Sequence, residues 1–166
     1  MEKMWSPWRS AYIESFKNKK TDEICIFCAA KKQDVAEENS LVVFKGVNIF
    51  VVLNLYPYNN GHLMVVPYRH ICDLSELTDV ENLEIMKLIN SSTKSLNEVM
   101  KPHGFNIGAN LGKAAGAGID THLHFHIVPR WNGDTNFMPI LGEVKVISQD
   151  LLRTKKDLIE AFSKYQ

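Results

Sequence analysis

Three histidines alternate with apolar residues in His122-Leu123-His124-Phe125-His126-Ile127-Val128. Successive side chains of a β-strand point to opposite faces. The spacing therefore predicts three imidazoles on one face, with Leu123, Phe125 and Ile127 in the core behind them. At a rise of about 3.3 Å per residue, neighbouring histidines stand about 6.6 Å apart along the strand and the outer two about 13 Å apart. Both outer rings cannot crowd one reacting atom, so His124, with an imidazole on either side, is the candidate nucleophile. A neutral imidazole suits attack on phosphorus because one nitrogen can attack while the other is held by a hydrogen bond. Flanking imidazoles can donate to oxygens that gain charge in the transition state. The same alternation also serves metal ligation or plain structure, and the triplet alone leaves these open.

Ahead of it lies a small-residue loop, Gly112-Lys113-Ala114-Ala115-Gly116-Ala117-Gly118, with Asn110 beside it. Such loops let backbone N–H groups approach phosphate oxygens. Glycines are more often simple turn chemistry, so the loop gains force only beside the histidines. Cys25-x-x-Cys28 is half of a tetrahedral zinc site or a redox pair. The βαβ context expected of a redox CxxC is not evident. Taken by residue type alone, Asn54 reads as a turn cap before Pro57 and His62 as a buried structural histidine.

The elements that must position these groups are legible. Leu41 to Phe44 and Val47 to Leu53 are β-branched runs joined at Lys45-Gly46, predicting a hairpin. Tyr56 to Gly61 is turn chemistry and His62 to Val66 a third strand. Thr78 and Glu81 form a capping-box pattern for a long helix. Leu83, Met86, Ile89, Leu96, Val99 and Met100 supply its apolar stripe, and Pro102 and Gly104 close it. Phe105 to Asn110 and Leu123 to Val128 predict the fourth and fifth strands. An amphipathic helix follows Asp150, carrying Leu151, Leu152, Leu158, Ile159 and Phe162. Strands first and helices after, without βαβ alternation, predict an α+β fold on a mainly antiparallel five-stranded sheet with a long helix and a C-terminal helix.

The 166 residues suit one domain, 1–166, with an aromatic N-terminal arm over about 1–22, a core over about 23–140 and a helical tail over about 141–166. Net charge is zero, which argues against a broad basic face for nucleic acid or an anionic membrane. No apolar run approaches the roughly 20 residues of a membrane span, and no secretory signal is evident. Three cysteines without an export signal point to the reducing cytoplasm.

With these residues in place, the sequence resembles the histidine-triad (HIT) superfamily, whose hallmark is His-φ-His-φ-His-φ-φ with φ apolar; residues 122–128 meet it at every position. The block from Asn54 to His70 resembles the family's earlier signature, and the resemblance runs from about Cys25 to Pro139. Trp5-Ser6-Pro7-Trp8-Arg9, the Asn54–His70 block, and the stretch from His126 to Pro139 look more narrowly like the bacterial diadenosine-tetraphosphate phosphorylase branch. That resemblance implies an HIT-like fold and phosphorolysis of diadenosine tetraphosphate to ATP and ADP, with AMP held covalently on His124. It also implies roles by position: His126 and His62 assist catalysis, and Asn54 binds ribose. Asn110 contacts phosphate, and Trp131 lies beside the nucleotide. One departure stands out. Many members carry a Gln-Ser or Gln-Thr pair before the triad, where this chain reads Gly116-Ala117-Gly118-Ile119-Asp120-Thr121. Backbone amides such as that of Gly118, with Asn110 and Lys113, must then substitute as phosphate donors.

HIT proteins beginning with a CxFC segment complete a structural zinc site with histidines matching His70 and His122, which implies the ligand set Cys25, Cys28, His70 and His122. Cys72 is then expected as a buried thiol and His103 as a surface histidine. The family also implies a homodimer or higher homo-oligomer acting on a small-molecule nucleotide. Two other readings remain: a hydrolase of nucleoside phosphoramidates or dinucleoside polyphosphates, in which water resolves the same intermediate, and a zinc-stabilised nucleotide-binding protein without turnover.

Overall fold

The computed structural model describes residues 25–134 and 149–165. The aromatic arm, and the stretch after Asp134 that runs to Pro139 in the resemblance, lie outside the described residues.

Five strands form one sheet: β1 Val42–Lys45, β2 Ile49–Leu53, β3 Leu63–Pro67, β4 Gly104–Gly108 and β5 Phe125–Arg130. Their order is β1-β2-β3-β5-β4, with every neighbouring pair antiparallel. Among the described residues three α-helices accompany them: α1 Ile26–Ala30, α2 Asp79–Met100 and α3 Leu151–Phe162. The α+β expectation and the five strands are met.

The β1–β2 hairpin closes at Lys45-Gly46 as expected, and Glu84 of α2 clamps its turn by accepting from the N–H groups of Val47 at 2.7 Å and Asn48 at 3.0 Å. The capping box of α2 is present in full: the Thr78 side chain accepts from Glu81 N–H, and Glu81 accepts from Thr78 N–H at 2.9 Å. At its other end Lys101 adopts φ 48°, and Pro102 cannot continue the hydrogen-bond ladder. Gly104, expected only to close the helix, opens β4.

The buried stripe of α2 runs through Ile85, Leu88, Ile89, Ser92 and Leu96. Two members of the expected stripe, Leu83 and Met86, face outward instead, at 57% and 63% exposure. The small serines Ser92 and Ser95 lie fully buried and turn this side of the helix, not the Leu83 side, onto the sheet. Together with Leu158 and Phe162 of α3, these residues cover one face of the sheet. Each such Leu or Ile contributes about 1.5–3 kcal/mol by leaving water.

On the other face Phe27 of α1 packs with Val42, Phe50, Val52, Met64 and Val66. Strand register decides which face the histidines take. Leu63 pairs with Ile127 and Val65 with Phe125 on the α2 side, whereas Met64 pairs with His126 on the α1 side.

The fifth strand starts later than expected, at Phe125, and runs on to Arg130, leaving His122, Leu123 and His124 in an irregular entry segment. The cause is Pro67. It has no N–H with which to extend the β3–β5 ladder, and Leu123 N–H donates to Ile71 O at 2.6 Å instead. The fourth strand likewise ends at Gly108, short of the expected Asn110.

Candidate active site and metal centre

The three histidines of the triad are buried, at 1%, 6% and 9% exposure for His122, His124 and His126. Their rings form a chain on the α1 face. His124 lies 4.8 Å from His126 between centroids, and His126 lies 5.0 Å from His62.

Each ring's protonation follows from a partner that can act in only one way. His124 Nδ1 is 2.8 Å from the carbonyl oxygen of His122. A carbonyl only accepts, so Nδ1 carries the proton and Nε2 presents a bare lone pair. Burial pushes His124 below the ordinary imidazole pKa, which favours this neutral form.

His62, at the start of β3 and fully buried, accepts at Nδ1 from Tyr58 N–H at 3.0 Å. The Asn54 side-chain amide approaches the same nitrogen at 3.3 Å, its own oxygen accepting from Tyr56 N–H at 2.9 Å. With Nδ1 accepting, the His62 proton sits on Nε2 and is donated to His126 Nδ1 at 2.9 Å. His126 in turn carries its proton on Nε2. The arrangement therefore sets a nucleophilic nitrogen on His124 beside a donor on His126.

Cys25, Cys28, His70 and His122 bring one ligand atom each to within 4.8 Å of all the others. Cys25 Sγ lies 3.3 Å from His122 Nδ1, and Cys28 Sγ lies 3.3 Å from His70 Nδ1 and 3.8 Å from His122 Nδ1. Zinc–sulfur bonds of about 2.3 Å and zinc–nitrogen bonds of about 2.0 Å give tetrahedral edges of this size. His122 Nε2–H is committed to Pro67 O at 2.9 Å, which turns the Nδ1 lone pair toward the sulfurs. Burial pushes His122 down to about 4, holding it in the neutral form that a metal needs. The donor set thus fits a zinc ion. Without one, burial raises the Cys25 thiol above its ordinary value; a bound cation would reverse that and favour the thiolate.

The remaining sequence candidates fall into two groups. Asn110 is half-buried, two residues past Gly108, whose register partner is His126. Carrying the same register on by two residues sets Asn110 opposite His124. Lys113 and Gly118 are exposed in the glycine loop. Lys113 pairs with Asp120 at 3.8 Å, and the N–H groups of Ala115, Gly116 and Ala117 turn inward to Gly112 O and Lys113 O. Trp131 follows the far end of β5, about 20 Å along the strand from Phe125, at the end away from His124. Its N–H donates to Asp134, which an ion pair holds to Arg130 at 2.7 Å.

Cys72 is exposed and not the buried thiol expected, because the chain turns away from the body after Ile71. His103 is exposed as expected. Sequence reasoning missed the backbone groups of Tyr58 and Pro67, which have no residue-type signature. It also missed Phe27, whose position between the two cysteines was the available clue.

A family model described as HIT domain matches residues 35–133. The chain is 42% identical over 159 residues to an AP-4-A phosphorylase of Mycobacterium tuberculosis, covering 94% of this chain and 82% of that protein. It is 31% identical over 108 residues to the adenosine 5'-monophosphoramidase hnt1 of Schizosaccharomyces pombe, covering 65% and 75%. Among solved structures, a zinc-bound histidine triad family protein from Mycobacterium smegmatis superposes with TM-score 0.66 at 25% identity, covering 84% of this chain and 94% of that one.

Proposed function

The chain belongs to the HIT domain family of nucleotide-processing enzymes, and from that premise we propose that it phosphorolyses dinucleoside polyphosphates, converting diadenosine tetraphosphate and phosphate to ATP and ADP. The observation that carries the proposal is the 2.8 Å hydrogen bond from His124 Nδ1–H to His122 O, which leaves Nε2 as a buried, neutral nucleophile.

In the first step the Nε2 lone pair bonds to the α-phosphorus while the P–O bond to the departing ATP breaks. The His122 carbonyl stabilises the positive charge that the His124 ring acquires. His126 Nε2–H, fixed through His62, donates to an oxygen gaining negative charge. In the second step an oxygen of inorganic phosphate attacks the same phosphorus. The P–N bond then breaks, its electron pair returns to Nε2, and ADP leaves. We assign Asn54 to the ribose hydroxyls, and Asn110, Lys113 and the Gly118 amide to phosphate oxygens. Phosphate as acceptor is favoured by the likeness to the mycobacterial AP-4-A phosphorylase.

The cysteine–histidine cluster would hold a structural zinc ion, supplying a four-coordinate cross-link between α1 and the entry to β5. A homodimer is the proposed assembly. Among the described residues β4 is the outermost strand next to β5, with Ile107 47% exposed on it, and a strand edge left without a described partner invites pairing. Two-fold antiparallel pairing across β4 would bring the Gly104 end of one copy, beside Arg130, to the Gly108 end of the other, beside His126. Trp131 of one copy would then approach the triad of its partner. No described helix is long and apolar enough to cross a membrane, and we place the activity in the cytoplasm as a single-domain enzyme.

Product analysis with diadenosine tetraphosphate, with and without inorganic phosphate, tests the proposal. ADP and ATP formed only with phosphate support it. AMP formed regardless of phosphate would assign water as the acceptor and make the protein a hydrolase. Tight nucleotide binding without any product would assign it a binding role.

A further inference from the structure

Between Cys25 and Cys28 stands Phe27, and its placement is unlike that of an ordinary core phenylalanine. Its ring is 2% exposed and touches two members of the triad. The centroids lie 5.4 Å from His122, edge-on at 69°, and 4.9 Å from His124, tilted at 44°. Three residues of one four-residue stretch, Cys25, Phe27 and Cys28, thus reach both the cysteine–histidine cluster and the nucleophile.

α1 has five residues, too few to be stable as an isolated helix. It has no side-chain N-cap hydrogen bond. Its described contacts with the body include the sulfurs of Cys25 and Cys28 against His122 and His70, the Phe27 ring and Ala30 in the apolar cluster, and Lys31 at its end, whose Nζ donates to Tyr68 O at 2.9 Å. Ordering of α1 by the cluster therefore sets the Phe27 ring. Among the described residues, the His124 ring is held along one edge by a hydrogen bond to His122 O, and it packs against Phe27 and His126. A half-turn about its outer torsion would break that bond and carry the attacking nitrogen to the place of Cε1. Packing of Phe27 on the ring opposes that turn.

We propose that Phe27 is a positioning residue, coupling the Cys25–Cys28–His70–His122 cluster to the orientation of the His124 ring. This rests on the nucleotidyl-transfer reading above for its effect on rate, but not for its effect on the ring.

The test uses Phe27→Leu, which keeps most of the apolar volume, alongside zinc-loaded and chelator-stripped wild type. Four quantities are measured at one fixed pH: zinc per chain, AMP affinity, kcat, and the ring-nitrogen NMR signals that report the His124 tautomer. The variant should keep one zinc per chain and AMP affinity within about threefold, while kcat falls on the order of tenfold to a hundredfold, as for small misplacements of a reacting group. Its His124 signals should depart from the Nδ1–H pattern, and stripped wild type should depart in the same way. Unchanged kcat with unchanged His124 signals would overturn the proposal. So would loss of zinc or of cooperative melting in Phe27→Leu, since Phe27 would then be holding the fold. Stripped wild type with intact His124 signals would overturn it as well. Absence of turnover in wild type would instead sink the functional reading, leaving the NMR comparison to decide the coupling.

Discussion

His62 Nε2 and His126 Nδ1 lie 2.9 Å apart in the buried interior, and the direction of that hydrogen bond is dictated from outside the pair. Tyr58 N–H occupies His62 Nδ1, so His62 must donate and His126 must accept. His62→Phe keeps the ring volume but frees His126 to take either tautomer. Steady-state kinetics should show kcat reduced about a hundredfold with KM changed little, the size typical for one positioned proton donor. His62→Gln, which retains a donor, should recover part of the loss. Equal activity of His62→Phe and wild type would remove His62 from the mechanism.

The metal cluster makes a separate prediction. A ligand saturated at a thousand times its Kd adds about 4 kcal/mol to stability. Cys28→Ser, which breaks the sulfur contacts at 3.3 and 3.8 Å, should bind less zinc and melt well below wild type. A chelator should lower the wild-type Tm toward that of the variant and leave the variant itself nearly unmoved. Identical chelator sensitivity in both would argue against this ligand set.

Arg69 holds the Glu81 carboxyl far below the carboxylate range, at about 2 against an ordinary 4.5. The group's folded pKa is depressed, so its contribution is fully present above about 4.5 and is lost as pH falls through about 2. Arg69 is half exposed, which weakens the pair by solvent screening. Glu81→Gln should therefore cost about 1–2 kcal/mol at neutral pH. Denaturant titrations should show the gap closing toward pH 2. A gap independent of pH would place the cost in the helix cap alone.

Gly61 adopts φ +70°, and a Cβ there would meet Met100 Sδ at 2.5 Å and Leu96 Cδ2 at 2.9 Å. Gly61→Ala combines left-handed strain with overpacking and should destabilise by about 2–4 kcal/mol. A melting curve within a degree of wild type would show that the turn before His62 can relax.

Much of this was written in residue types. The capping box of Thr78 and Glu81 is local and acts locally, so it was legible. The four members of the cysteine–histidine cluster were legible through resemblance, although His70 and His122 meet the cysteines only through folding. The boundaries were harder. Where β5 begins depends on Pro67 lacking a donor in another strand, and the choice between Leu83 and Ile85 as the buried side depends on where two serines allow close approach. Tautomers were not legible at all, because Tyr58 and Pro67 act through backbone atoms that every sequence has. Lys113 was placed near phosphate by its neighbours in sequence, yet its side chain reaches Asp120.

The most direct measurement is intact-protein mass spectrometry after mixing the enzyme with diadenosine tetraphosphate in the absence of phosphate, for wild type and His124→Ala. The account predicts a single AMP adduct on wild type, mapped to His124, discharged as ADP when phosphate is added, and absent from the variant despite retained AMP binding. An adduct on another residue, or turnover by His124→Ala at the wild-type rate, would contradict it.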